Sequence, residues 1–147
     1  MRGQYRLVME LLFFGIGVLL TAYVINSFFN ARVFLTGIAD ESQLKTASEA
    51  VSTAIVKASR HENAESYVKI PVQISGNGYV IRAEDGNGGT CTPGESCFLN
   101  ATSTSGTSVR AEIFNTANPH NINGFVDSAQ EYAMARKTGD SITIASR

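Results

Sequence analysis

The sequence predicts an α+β chain: a long N-terminal hydrophobic helix followed by a small antiparallel β-sandwich-like domain. Three observations predict it. Leu7 to Ile25 is an almost unbroken apolar run whose only charge is Glu10. From Leu44 to Ala58, apolar or small residues recur at steps of three and four, the period of a helix with one buried face. Beyond Glu65 the period changes to two, and Gly-, Asn- and Pro-containing turns break the chain into short strands. The length of 147 residues fits one anchor plus one small domain. The division expected is 1–39 for leader and apolar helix, 40–64 for an amphipathic helix and linker, and 65–147 for the β-domain.

Met1 to Arg6 is a short polar leader. The run from Leu7 to Ile25 is about 28 Å long as a helix, close to the hydrocarbon thickness of a bilayer. Two readings compete for it: a transmembrane anchor, or the hydrophobic assembly helix of a filament subunit. A cleavable secretory signal would have a shorter apolar core ending in a small-x-small site, and here the run leads into Asn26-Ser27-Phe28-Phe29-Asn30. Tyr5, Tyr23, Phe28 and Phe29 mark the membrane interfaces in a chain without Trp. Arg2 and Arg6 precede the span, whereas Arg32, Asp40 and Glu41 follow it. That asymmetry predicts a single-pass protein with a cytoplasmic N-terminus and an extracellular β-domain. Phe13 and Phe14 are candidate packing residues, and Gly15 and Gly17 would permit close approach of a second helix, although G-x-G is not the G-x-x-x-G contact motif. A carboxylate in such a helix must reach headgroups, protonate or meet a positive charge. Glu10 therefore either extends to the near interface, pairs with Arg6 four residues earlier, or pairs with another subunit.

The helix is expected to run on toward Leu35 and to be interrupted at Gly37 and Asp40. Asp40 and Gln43 have capping-box spacing, which would restart a helix there. In the amphipathic segment from Glu41 to Arg60, Leu44, Ala47, Val51, Ala54, Ile55 and Ala58 form the apolar face. Lys45, Ser48, Glu49, Ser52 and Ser59 are assigned to the other. The apolar face packs on the following domain or on a neighbouring subunit. His61 to Glu65 reads as a linker.

Val68 to Ile74 alternates as a strand. Pro71 lacks a donor and confines that strand to an edge. Ser75-Gly76-Asn77-Gly78 reads as a hairpin turn into a return strand, Tyr79 to Ala83. Glu84 to Thr90 is a loop, Cys97 to Ala101 a third strand, Ser103 to Ser108 a loop and Val109 to Phe114 a fourth strand. Asn115 to Gly124 is expected as a longer loop. Phe125 to Arg136 has a composition that suits a helix and neighbours that argue for a strand. Thr138-Gly139-Asp140 turns into a last strand, Ser141 to Ala145. Five or six such strands suit a sandwich or a curled antiparallel sheet.

The chemistry of the residues points away from catalysis. The net charge of −1 gives no electrostatic case for nucleic acid. No catalytic set, cofactor motif or small-molecule site emerges: His61 lies in the linker and His120 in an Asn-rich loop. Asp85-x-Asn87-x-Gly89 begins like a calcium loop but has Ser96 where the last acidic ligand should stand, so an ordinary turn is the expectation and no metal is assigned. Cys91 and Cys97 flank a Pro93-Gly94 turn that would bring their sulfurs together. On the oxidising side of a membrane they form a disulfide, and elsewhere they remain thiols. Asn100-Ala101-Thr102 is a glycosylation sequon.

Arg2-Gly3-Gln4, an apolar helix with an early Glu and a strand-rich domain together resemble the archaeal type IV pilin-like superfamily. Tyr67 to Ile81, YVKIPVQISGNGYVI, is similar to the first hairpin of such domains. The resemblance implies a class III signal peptide cut between Gly3 and Gln4 by a prepilin-type peptidase. It also implies self-association, or association with other pilin-like subunits, through the N-terminal helix in a surface filament. The family's carboxylate position falls at Val8 here, and the carboxylate of this chain is Glu10. Its usual Ser falls at Arg6. The alternative is a permanently membrane-anchored envelope protein whose β-domain binds a partner, as an archaellum stator or adhesion module would.

Overall fold

The structure is a computed structural model that describes residues 2–94, 96–114 and 121–147, with side chains from residue 6 onward. One helix, α1 (Arg2–Ser59), is followed by seven strands: β1 (Glu65–Lys69), β2 (Tyr79–Glu84), β3 (Phe98–Ser103), β4 (Ser108–Glu112), β5 (Asn121–Asp127), β6 (Tyr132–Thr138) and β7 (Ser141–Ser146). The chain divides into two compact units, Met1–Gly37 and Ile38–Arg147.

The expected interruption at Gly37 and Asp40 does not occur, because α1 is continuous through both. A single glycine inside a helix costs only about 1 kcal/mol relative to alanine, and the helix on either side absorbs it. Asp40 consequently caps nothing. Its side chain is buried and its Oδ1 has no hydrogen-bond partner.

In the second unit the end of α1 shares one core with the sheet. Leu44, Ala47, Val51, Ala54, Ile55 and Ala58 are all buried against Ile70, Ile74, Tyr79, Ile81, Leu99, Val126, Ile142 and Ile144. The helical stripe thus packs within its own chain. Two assignments to the polar face are corrected: Ser48 and Ser59 are buried, and each hydroxyl donates back to α1, to the Leu44 and Val56 carbonyls. A small hydroxyl satisfied by its own helix can be buried at little penalty. Lys137 on β6, also buried, donates Nζ–H to the Ser59 carbonyl at 3.1 Å, placing a cation at the helix C-terminus where the dipole favours it.

The seven strands form one sheet in the order β1-β6-β7-β5-β2-β3-β4, antiparallel except for the parallel pair β5–β7. β1 is an edge strand, but it spans Glu65–Lys69 and not the expected Val68 to Ile74, so Pro71 lies beyond its end and does not set its edge position. Ile74 and Asn77 exchange backbone hydrogen bonds around Ser75 (φ 49°) and Gly76 (φ 82°), a two-residue turn with both centres left-handed. It does not join a β1–β2 hairpin. β1 pairs with β6, and β2 lies between β5 and β3. The loop expected at Asn115 to Gly124 lies partly outside the described residues (115–120), and Asn121–Gly124 begins β5. The ambiguous stretch from Phe125 to Arg136 resolves into strand: the end of β5, a turn, and β6. At Gly124 (φ 102°) a side chain would collide with the Ile144 carbonyl of β7, so the close parallel pairing requires glycine.

Candidate functional site: an uncovered apolar helix

From Leu7 to Ile38 the large apolar side chains of α1 face outward on all sides, with Phe14 72% and Phe28 73% exposed. Nothing in the first unit covers them. Among the described residues this is the one helix long and apolar enough to cross a membrane, and it lies near the N-terminus. As a straight helix the stretch from Leu7 to Ile38 is about 48 Å long. A bilayer's hydrocarbon core is about 30 Å. Tilt alone would have to exceed about 50° to hide the whole stretch, beyond the range of transmembrane helices. If Leu7 to Ile25 fills the bilayer, then Phe28, Phe29, Val33, Phe34, Leu35 and Ile38 form a further apolar collar beyond it.

The polar groups of this stretch fall into two classes. Thr21 donates its hydroxyl to the Gly17 carbonyl, and Thr36 to the carbonyls of Arg32 and Val33, so both are satisfied within the helix. Arg6 Nε donates to Glu10 Oε1 at 3.4 Å, with both side chains largely exposed. Within the single chain Glu10 thus has Arg6 as a partner on its own helix. Arg32 has no ion-pair partner among the described residues. Phe13 and Phe14 are exposed, and a Cβ added at Gly15 or Gly17 would meet nothing within 4 Å beyond the local helix backbone. No demand of this fold explains those two glycines. Gly3 and Gln4 lie in the α1 backbone, and their side chains are outside the described residues.

In the β-unit, Cys91 and Cys97 form a disulfide with Cα atoms 5.4 Å apart. Cys91 is buried, and its carbonyl accepts from the Ile122 N–H, tying the loop to β5. The Asp85 carboxylate is committed to its own loop. It accepts N–H bonds from Gly89 (2.6 Å) and Asn87 (2.7 Å), and these bonds hold its pKa below the usual carboxylate value. These bonds give the loop Asx-turn geometry. Asn100 is on β3, and its Nδ2 donates to Glu84 at 3.1 Å. His61 is exposed beyond the end of α1, and His120 lies outside the described residues. No group of three or more metal-ligating side chains occurs among the described residues.

Three other titrating groups are perturbed, each for a local reason. The Tyr67 hydroxyl and the Arg136 guanidinium lower the Glu65 pKa, and the Glu131 carboxylate raises that of Lys69. Burial pushes the Tyr79 phenol up to about 12, and its hydroxyl donates to the Pro71 carbonyl at 2.6 Å.

The sheet face opposite α1 went unread in the sequence. It carries Tyr67, Arg82, Phe98, Arg110, Phe125 and Tyr132, one on each of the strands β1 to β6. Period-two alternation marks each as outward-facing, but only the register brings them together. No protein family, curated protein or solved structure matches this chain.

Proposed function

We propose that the chain is a pilin-like structural subunit of an archaeal type IV pilus-like surface filament, assembling through its N-terminal hydrophobic helix. The observation that carries this reading is the length of uncovered apolar surface on α1. A lone anchor would leave the collar from Phe28 to Ile38 in water, and each large side chain there would gain roughly 1.5–3 kcal/mol on being covered. Packing helix against helix with other subunits covers collar and span together. The β-domain is then extracellular, on the outside of the filament, and the N-terminus begins on the cytoplasmic side. Gly3-Gln4 is the site at which a prepilin-type peptidase would release the subunit.

The second reading, a permanently anchored envelope protein, is favoured by one observation. The Arg6–Glu10 pair leaves Glu10 with a partner inside its own helix, so no second subunit is needed to neutralise it. The mass of the N-terminal peptide from the native membrane separates the two. A chain starting at Gln4 supports the filament subunit, and one retaining Arg2-Gly3 supports the anchor. Assembly is tested independently with Phe34→Asp: filaments that form normally from this variant would sink the helix-packed reading.

A further inference from the structure

The registers of β2, β3 and β4 place two charged rows side by side on the sheet face that α1 leaves open. Arg82 pairs across with Asn100, and Asn100 with Arg110. Two residues along, Glu84 pairs across with Phe98, and Phe98 with Glu112. One row is therefore cationic at both ends and the next anionic at both ends. Within a row the like charges are two strand spacings apart, about 10 Å, and the rows are about 7 Å apart along the strands.

None of the four charges is in an ion pair among the described residues. The arginines instead lie over aromatic rings. Arg110 is 3.9 Å from the Phe98 ring centroid, and it also donates to the Asp85 carbonyl. Arg82 is 5.6 Å from the centroid of Phe125. Ring stacking holds the guanidinium planes against the sheet. Phe125 is exposed and Phe98 half-buried, and arginine backed by aromatic side chains is the composition that protein interfaces favour over ordinary surface.

A two-fold axis lying in this face, parallel to the rows and midway between them, superposes the cationic row of one copy on the anionic row of another. Arg82 then meets Glu84 of the second copy, Arg110 meets its Glu112, and every one of these contacts occurs twice. A surface with this pattern is self-complementary in the way an isologous contact requires. We propose that the β2–β3–β4 face is a self-recognition surface, and that its partner is the same face of a second copy of this chain. Three strands by two rows is a small patch, below the area of a stable dimer, so the contact is weak singly. It becomes effective where many copies are held together on one surface. The proposal does not depend on the filament reading, because two copies can meet through this face whether their helices are anchored or assembled.

The test uses the full chain reconstituted into phosphatidylcholine vesicles, with clustering followed by turbidity. Separate vesicles cannot share helices, so clustering reports on the β-domains alone. Wild-type vesicles are expected to cluster at low salt. Clustering should fall about tenfold between about 50 and 500 mM salt, as the screening length shrinks from about 14 to about 4 Å. Arg82→Glu/Arg110→Glu vesicles and Glu84→Arg/Glu112→Arg vesicles should each stay dispersed alone and cluster when mixed. A paired control, Lys69→Glu/Arg136→Glu, alters charge on the same face outside the array and should cluster like wild type. Dispersed wild-type vesicles would overturn the proposal. So would clustering of either array variant alone, a mixture that fails to cluster, or loss of clustering in the control.

Discussion

Residues 6–37 and 44–58 belong to one helix, yet they meet opposite fates. The first stretch is apolar on every side and carries Phe, Leu and Ile, all uncovered. The second is apolar on one stripe only, built largely from Ala47, Ala54 and Ala58 with Leu44, Val51 and Ile55, and all of it is buried. Small residues on a narrow stripe let the helix lie close on a sheet, which is what a cover supplied by the same chain needs. Large residues on the full circumference suit a cover supplied from outside, by lipid or by other helices. The helix period is the same in both, and the width of the apolar face says where the cover comes from.

The sharpest way to break this contrast is to truncate one side chain from each stretch. Ile55→Ala should destabilise the β-unit by about 2–5 kcal/mol, whereas Phe34→Ala should leave it within about 0.5 kcal/mol. Urea unfolding in detergent, followed by near-ultraviolet circular dichroism, measures both. Equal effects would mean that residues 6–37 contribute to the fold. The next comparison is within the β-unit. Replacing Cys91 and Cys97 together by alanine should lower its stability by about 2 kcal/mol, the modest value expected for so short a loop. The same unfolding experiment reads it.

Tyr79 gives a pH-dependent version of the comparison, since it belongs to the buried core. Its folded pKa of about 12 lies above the ordinary tyrosine value of 10.0. The folded state therefore holds the phenol proton more tightly. The stabilisation is fully present below pH 10 and is lost as pH rises toward 12, by up to about 2 kcal/mol. Tyr79→Phe should remove that alkaline slope while leaving the helix signal of residues 6–37 unchanged. The smallest effect is at Asp85, whose folded pKa is depressed. Its contribution is present above the ordinary value near 3.8 and is lost as pH falls through the lower folded value. Asp85→Asn should flatten that acid limb slightly, as seen in melting temperatures between pH 5 and 2.

The same contrast separates what could be read in the chain from what could not. The apolar run, the stripe from Leu44 to Ala58 and most strands follow from local periodicity. Their positions were legible because each element's burial is written in its own residues. Pairing was not. YVKIPVQISGNGYVI reads as a hairpin, and its turn forms at Ser75-Gly76, but β1 takes β6 from far along the chain as its neighbour. Nor does Gly124 announce that β5 will run parallel to β7. Its requirement for glycine comes from the Ile144 carbonyl, a residue twenty positions away. The candidate helix was legible as apolar and long. The charged face was not, because Arg82 and Arg110 become neighbours of one row only through Asn100 on the strand between them.

The strand order also sets a timetable for biosynthesis. β1 is made immediately after α1, but its partner β6 begins about 60 residues later. At about 5–20 residues per second, translation separates them by about 3 to 13 s. During that interval the apolar run from Leu7 to Ile25 has already left the ribosome, while the stripe from Leu44 to Ala58 still lacks most of its cover. If the helix enters a bilayer, its insertion therefore has a head start over closure of the sheet, and the nascent chain would be tethered before the domain it carries can finish folding.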